Sequence, residues 1–342
     1  MRRRRPRSSS FSTMADVARR AGVSTASVSR VLNTPDQVSR ELRRRVESAV
    51  ADLRYVRHGA ARALAARRSH TIGAIVPTLG TAIFATGVEA LQRRLDALGH
   101  ALLVAHSQND PAVELRQLRT LLERGVDGIV LVGHRHRPAL YRLLAETRTP
   151  YVCTYTFGNG RHACVGIDHA RAMATLVAHL LALGHRRFGV ITSPTRDNDR
   201  IAQRLQGAVA AVRSAGCAPP EVVEAPYAIR DGREALRALL ARAPEATAVI
   251  CTTDIHAVGV VAEARTLGLD VPGRLSVTGF DDLALAADLE PPLTTIRVPA
   301  EEIGARAAEM LVGRVLGKPV ATAIKLDAEL NVRASTGAAP RR

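Results

Sequence analysis

TMADVARRAGVSTASVSRVLN, residues Thr13 to Asn33, carries two helix signatures back to back. Thr13 followed three residues later by Asp16 is a capping-box pattern, and Met14, Val17, Ala18 and Ala21 recur at helical spacing along one apolar face. Gly22 ends that helix. Ser24 then supplies a hydroxyl for the first free amide of a second helix, with Val23 placed to pack against Val28. Val28, Val31 and Leu32 point inward, which leaves Thr25, Ala26, Ser29, Arg30 and Asn33 on the opposite face. Those side chains are small and hydrogen-bonding, with one guanidinium long enough to reach a guanine edge. Two short helices about a glycine turn form a helix-turn-helix, whose second helix enters the DNA major groove. A helical hairpin buried in a larger domain would share the apolar pattern, but charge argues against it. Residues 2–68 hold 17 Arg against 5 acidic residues, so +12 of the formal +16 of the chain lies there. A basic block confined to one element is the footprint of phosphate binding.

Outward from this stretch, residues 1–11 read as a disordered basic arm and 12–57 as the helix-turn-helix domain. Ser39 to Leu53 forms its third helix, with Leu42, Val46, Ala49, Val50 and Leu53 on one face. Residues 58–70, containing GAARALAARR, read as a linker or hinge helix too short to persist alone in water. From Thr71 onward, short apolar runs alternate with helical segments, twice over, as in a parallel sheet covered by helices. The expected ligand-binding and dimerisation domain spans 71–334. Its first lobe takes about 71–154 and 292–318, its second about 155–291 and 319–334, and 335–342 is a tail. The fold class is thus an all-α N-terminal domain followed by a two-lobed α/β domain of two parallel, Rossmann-like sheets. Ligands of such folds sit at the carboxyl ends of the strands, between the lobes.

Composition narrows the function. At 342 residues and 46% hydrophobic content the chain can bury a large core, yet aromatics are only 3%, so base-stacking RNA modules are disfavoured. Cys153, Cys164, Cys217 and Cys251 show no metal or redox spacing and read as buried free thiols. The sequence contains none of the glycine-rich nucleotide loops, the G-x-S-x-G elbow or H-E-x-x-H. No catalytic residue, metal or cofactor is expected, and no enzyme activity. MRRRRPRSSSF is charged like the start of a signal peptide, but an amphipathic helix follows it instead of an apolar core. With no apolar run of membrane length, a cytoplasmic, nucleoid-associated protein without a membrane partner is expected.

DVARRAGVSTASVSRVLN, VS at Val38 and Ser39, ARAL at Ala61 to Leu64 and IGAIVP at Ile72 to Pro77 resemble the lactose-repressor (LacI/GalR) family of bacterial transcription regulators. GHRRFGVI, RLQG, TTDIHAVG, VTGFDD and PPLTTI extend the likeness across nearly the whole chain. The resemblance implies a homodimer on a pseudo-palindromic operator, controlled by a small sugar-like effector. It also implies a hinge helix that folds on DNA, with Arg62 and Leu64 as contacts and Leu64 as a minor-groove wedge. The family usually has Pro-Asn where Arg57-His58 stand, so that helix lacks its usual cap. In the cleft, Asp254 matches the family's ligand aspartate and Arg204 its ligand arginine. Tyr227 falls where an aromatic stacks on the ligand, and Ile83 and Phe84 lie in the opposite lobe's contact loop. Each has a structural alternative: Asp254 could cap a helix, Arg204 could lie on the surface, Phe84 could be core. His134 and Arg135, followed by His136 and Arg137, stand at a strand end and suggest an anionic ligand, although histidines there could be ordinary loop residues. TPDQVS, LLERGVDGIVLVGHRH and this basic loop resemble the gluconate-repressor branch of the family, which implies a sugar acid such as gluconate. A solute-binding protein of a sugar transporter shares the two-lobed fold, but would not need Thr13 to Leu64.

Overall fold

The computed structural model describes residues 12–55, 68–158 and 160–341, which fall into two compact units divided at Ser69. The hinge expectations for Arg57-His58, Arg62 and Leu64, and the arm over 1–11, lie outside the described residues.

In the first unit, α1 (Met14–Ala21), α2 (Thr25–Asn33) and α3 (Arg40–Asp52) close around Val17, Ala18, Ala21, Val28, Val31, Val46 and Ala49, with Tyr55 completing the core. Both arms of the capping box form: the Asp16 amide donates to Thr13 Oγ1 at 3.3 Å and the Thr13 amide to Asp16 Oδ2 at 2.9 Å. Gly22 ends α1 at φ 62°, the left-handed conformation that glycine adopts without strain. Arg45 of α3 ties this turn down, its Nη2 donating to the carbonyls of Ala21 at 2.8 Å and Gly22 at 3.1 Å.

The second unit contains two six-stranded sheets among the described residues. The first holds β1 (Thr71–Val76), β2 (Ala101–His106), β3 (Gly128–Val132), β4 (Tyr151–Thr154), β5 (Cys164–Gly166) and β11 (Ala323–Lys325), in the order β11-β5-β4-β3-β1-β2 and all parallel. The second holds β6 (Phe188–Thr192), β7 (Glu221–Glu224), β8 (Ala248–Cys251), β9 (Ser276–Asp281), β10 (Thr294–Arg297) and β12 (Glu329–Asn331). Its order is β12-β10-β9-β8-β6-β7, with only β12 antiparallel. Strands β3, β6 and β8 are buried throughout because helices cover both faces, which is why they read as unbroken apolar runs.

Helices α4 (Ala82–Ala97), α5 (Pro111–Glu123) and α6 (Pro138–Glu146) connect the first sheet. Helices α7 (His169–Ala182), α8 (Asp199–Ser214), α9 (Ile229–Arg242) and α10 (Asp254–Thr266) serve the second, and α11 (Ala300–Val315) returns to pack on α4 and the first sheet.

Pairing corrects the lobe boundaries. Cys164–Gly166, expected in the second lobe, continues the first sheet beside β4. Thr294–Arg297, expected in the first, extends the second beside β9. The stretch 319–334, expected wholly in the second lobe, divides between the sheets, β11 joining the first and β12 the second. Each strand joins the sheet whose edge can satisfy its backbone groups, so the chain crosses three times, after Gly166, Arg297 and Lys325. Nor is 335–342 a loose tail. Ser335 Oγ accepts from the Thr294 amide at 2.8 Å and donates to the Val277 carbonyl at 2.6 Å, and the Ala339 amide donates to Leu183 at 2.8 Å.

Candidate DNA-binding face and effector cleft

On α2, Thr25, Ala26, Arg30 and Asn33 are exposed and Ser29 is half-buried. Asn33 Nδ2 donates to Ser29 Oγ at 3.2 Å, while the Arg30 side chain has no partner among the described residues. Neighbouring arginines are occupied: Arg19 pairs with Asp16, Arg20 with Asp52 and Arg43 with Glu47. Arg30 is therefore presented freely on a helix whose other face is anchored in the core.

In the second unit a cavity of about 820 Å³ opens between the lobes at the carboxyl ends of β1, β4, β6, β8 and β9. Ile83, Phe84 and Tyr155 line it from the first lobe, and Ser193, Arg200, Arg204, Tyr227 and Asp281 from the second. The backbone is unusual around it. Gln108, Asn109 and Tyr155 have φ near 57°, and Asp281 sits at 118° with Asp282 at 53°. Non-glycine residues rarely adopt positive φ, and such positions concentrate at ligand sites.

Arg204 is the centre of the wall. Its Nη2 lies 3.1 Å from Asp281 Oδ1, Nη1 donates to the Thr252 carbonyl at 2.9 Å, Nε donates to His169 Nδ1 at 3.2 Å, and its guanidinium stacks 3.8 Å from the Phe280 ring centroid. Burial pushes the Asp281 carboxyl up, against the pull of Arg204. One turn earlier on α8, Arg200 faces the same cavity and pairs with Asp199 at 3.3 Å. Burial lowers its pKa, Asp199 opposing and Arg204 assisting.

Of the residues expected to contact a ligand, Ile83, Phe84, Arg204 and Tyr227 line the cavity and Asp254, His134 and Arg135 do not. Asp254, wholly buried at the start of α10, turns away from the cleft. Its Oδ2 accepts from the Leu283 amide at 2.7 Å and its Oδ1 from Thr295 Oγ1 at 2.5 Å. Gly279 makes room for it, since a Cβ there would lie 2.1 Å from Asp254 Oδ1. Burial, then the Asp281 charge, raises the Asp254 pKa to about 7. The strand-end rule selected Asp254, but applies equally to Asp281 in GFDD; only the fold shows which carboxylate lines the cavity.

The histidines of the basic loop are spent on internal pairs, whereas Arg135 and Arg137 stay exposed. His134 Nδ1 lies 2.8 Å from Thr156 Oγ1 and 3.0 Å from Asp199 Oδ2, and its amide donates to Asp199 at 2.9 Å. Burial works to raise the pKa of Asp199, but the hydrogen bond from His134 and the charge of Arg200 hold it well below the carboxylate range. Arg135 reaches the Thr195 carbonyl at 3.4 Å, and His136 Nδ1 sits 2.8 Å from Glu114. His134 and Arg135 tie the lobes together near Gly133, where a Cβ would collide with Asp199 and Arg200. Arg200, Asp281 and Ser193 line the cavity and were missed from sequence; Asp281 left a signal in its strand-end position and Arg200 by standing one helical turn before Arg204.

Cys153, Cys164 and Cys251 are buried free thiols, whereas Cys217 is half-buried. Among the described residues no group of three or more His, Cys, Asp or Glu could hold a metal ion, and no helix is long and apolar enough to cross a membrane.

Comparison with known proteins agrees with this architecture. Residues 13–58 match the bacterial regulatory proteins of the lacI family, and 177–336 a periplasmic binding protein-like domain. The chain is 34% identical over 330 residues to the HTH-type transcriptional regulator GntR of Pseudomonas aeruginosa, covering 95% of both chains. It is 33% identical to the HTH-type transcriptional repressor CytR of Escherichia coli, covering 96% of this chain and 97% of that one. The lac repressor dimer bound to operator and the anti-inducer ONPF superposes with a TM-score of 0.87 at 26% identity, over 96% of this chain and 100% of that one. A helix-turn-helix with a free arginine on its second helix, joined to a two-lobed α/β domain, places the chain in the lacI family of DNA-binding transcriptional regulators.

Proposed function

We propose that this regulator is a cytoplasmic repressor that binds a pseudo-palindromic operator as a homodimer and responds to a polyhydroxylated acid of the gluconate class. Two recognition helices related by a twofold axis call for two half-sites. Thr25, Ala26, Ser29, Arg30 and Asn33 would face the bases, and Leu64 would wedge the minor groove. The observation that carries the effector reading is the pair Arg200 and Arg204, one helical turn apart on a wall where Asp281 is the lining carboxylate. An arginine fork suits the acid group and Asp281 the hydroxyls. Ile83, Phe84 and Tyr227 supply apolar faces for the carbon skeleton. The lac repressor, bound as a dimer to operator and an anti-inducer, supports a small-molecule effector for this regulator as well.

Calorimetry of D-gluconate against D-glucose tests this. The acid should bind at least about tenfold more tightly, ~1.4 kcal/mol, and the preference should shrink in Arg200→Gln. Equal affinities would assign the cleft to neutral sugars.

A further inference from the structure

A chain of hydrogen bonds leaves the cleft and enters the opposite lobe through buried groups. Arg204 holds Asp281 on one side, and on the other its Nε donates to Nδ1 of His169 at 3.2 Å. Nε2 of His169 lies 2.7 Å from the Tyr155 carbonyl oxygen, and the Tyr155 hydroxyl donates to the Ile83 carbonyl at 2.8 Å. His169 opens α7 of the second lobe, Tyr155 follows β4 of the first, and Ile83 lies in the first turn of α4. Tyr155, His169, Arg204 and Asp281 are all buried.

The partners fix the proton on His169. A carbonyl oxygen only accepts, so Nε2 carries the hydrogen and Nδ1 is left to accept, as a guanidinium N–H requires. Burial, then the Arg204 charge, keeps the His169 pKa well below its ordinary value, in keeping with a neutral ring. Such a ring has one orientation that satisfies both neighbours, so it cannot absorb a displacement of Arg204 without losing a bond. The far end is equally tight. The Tyr155 hydroxyl lies 2.0 Å from where a Cβ on Gly87 would stand, and its ring meets Phe84 edge-on at 5.3 Å. Tyr155 itself is held at φ 57°. Beyond α4, a Cβ on Gly304 of α11 would lie 2.2 Å from the Gly87 carbonyl, so the two helices interlock.

We propose that His169 and Tyr155 are positioning residues that convey the state of the Arg204–Asp281 pair to the first turn of α4. The proposal rests on the cleft being the effector site and adds the route by which an occupied cleft alters the first lobe. A ligand that draws Arg204 away from Asp281 turns His169, and the Tyr155 hydroxyl then shifts its hold on Ile83.

Hydrogen exchange on the full-length chain tests the link without a ligand. Asp281→Asn releases Arg204 and should change the exchange rate over residues 82–90 by about threefold or more, leaving α5 unchanged. In a Tyr155→Phe background, which keeps the ring and removes only the hydroxyl, the same substitution should add almost nothing, a non-additivity that marks coupled sites. Arg204→Lys, which keeps the charge but shortens the reach to His169, should give the same pattern and replaces Asp281→Asn if that variant fails to fold. Additive effects, an equal change in α5, or no change over 82–90 would each overturn the proposal. Failure of both D-gluconate and D-glucose to bind would count against the effector assignment instead, and leaves this cycle of variants readable.

Discussion

The N-terminal helices and the interlobe cleft divide structure and function differently. In the first, the core is Val and Ala with Tyr55, the ends are fixed by caps, and Thr25, Ala26, Arg30 and Asn33 stand exposed on α2, outside the core. In the cleft, polar groups that line the cavity are the ones that hold the wall together: Arg204 serves Asp281, Thr252 and His169 at once. An exposed face can therefore change its specificity at little cost in stability. A buried polar wall cannot, because removing one partner strands the other in a medium of low polarity.

The sharpest way to break this contrast is Arg204→Ala. It leaves Asp281 buried without its cation and should lower the unfolding free energy at neutral pH by ~3–5 kcal/mol. Urea unfolding checks it, and a loss below about 1 kcal/mol, within the scatter of surface substitutions, would show the wall is not structural.

Asp254 gives the next largest effect, through pH. Its folded pKa of about 7 stands above the ordinary carboxylate value, so the folded state binds more protons there than the unfolded state. Its contribution is present at acid pH and lost as pH rises from about 4 to about 7, by a few kcal/mol at most. Asp254→Asn does not titrate, so the stability of the natural chain relative to this variant should fall between pH 4 and pH 8. Parallel stability curves for the two proteins would mean that Asp254 is charged in the fold.

Arg30→Ala probes the other region. It should cost ~1–3 kcal/mol on the specific operator and relax the preference at one base pair per half-site, with non-specific affinity almost unchanged. Its melting temperature should hold, since Arg30 has no partner to strand. Equal loss on specific and random DNA would reduce Arg30 to a phosphate contact. The smallest effect is expected of Thr13→Ala, which removes a cap and should destabilise the three-helix unit by ~1 kcal/mol without altering base preference. A change in preference would show that α1 helps set the pose of α2.

The sequence alone determined the elements whose causes are local. Thr13 and Asp16 are three residues apart, Gly22 ends α1 by its own backbone freedom, and the alternation of apolar runs and helical faces from Thr71 announces the repeated β-α units. The family resemblance, not local patterning, pointed to individual cleft positions, and of these Ile83, Phe84, Arg204 and Tyr227 line the cavity. Tertiary structure alone decided which sheet took Cys164–Gly166, Thr294–Arg297 and the last two strands, because strand pairing is settled by whichever edge lies open, not by the strand's own residues. It also decided between Asp254 and Asp281. Both carboxylates stand at strand ends, but the Leu283 amide and Thr295 hydroxyl, supplied from distant parts of the chain, draw one inward, while Arg204 holds the other on the cleft wall. The histidines of the His134 to Arg137 loop looked free for the same reason: the carboxylates of Asp199 and Glu114 that engage them are far away in sequence and adjacent only in the fold.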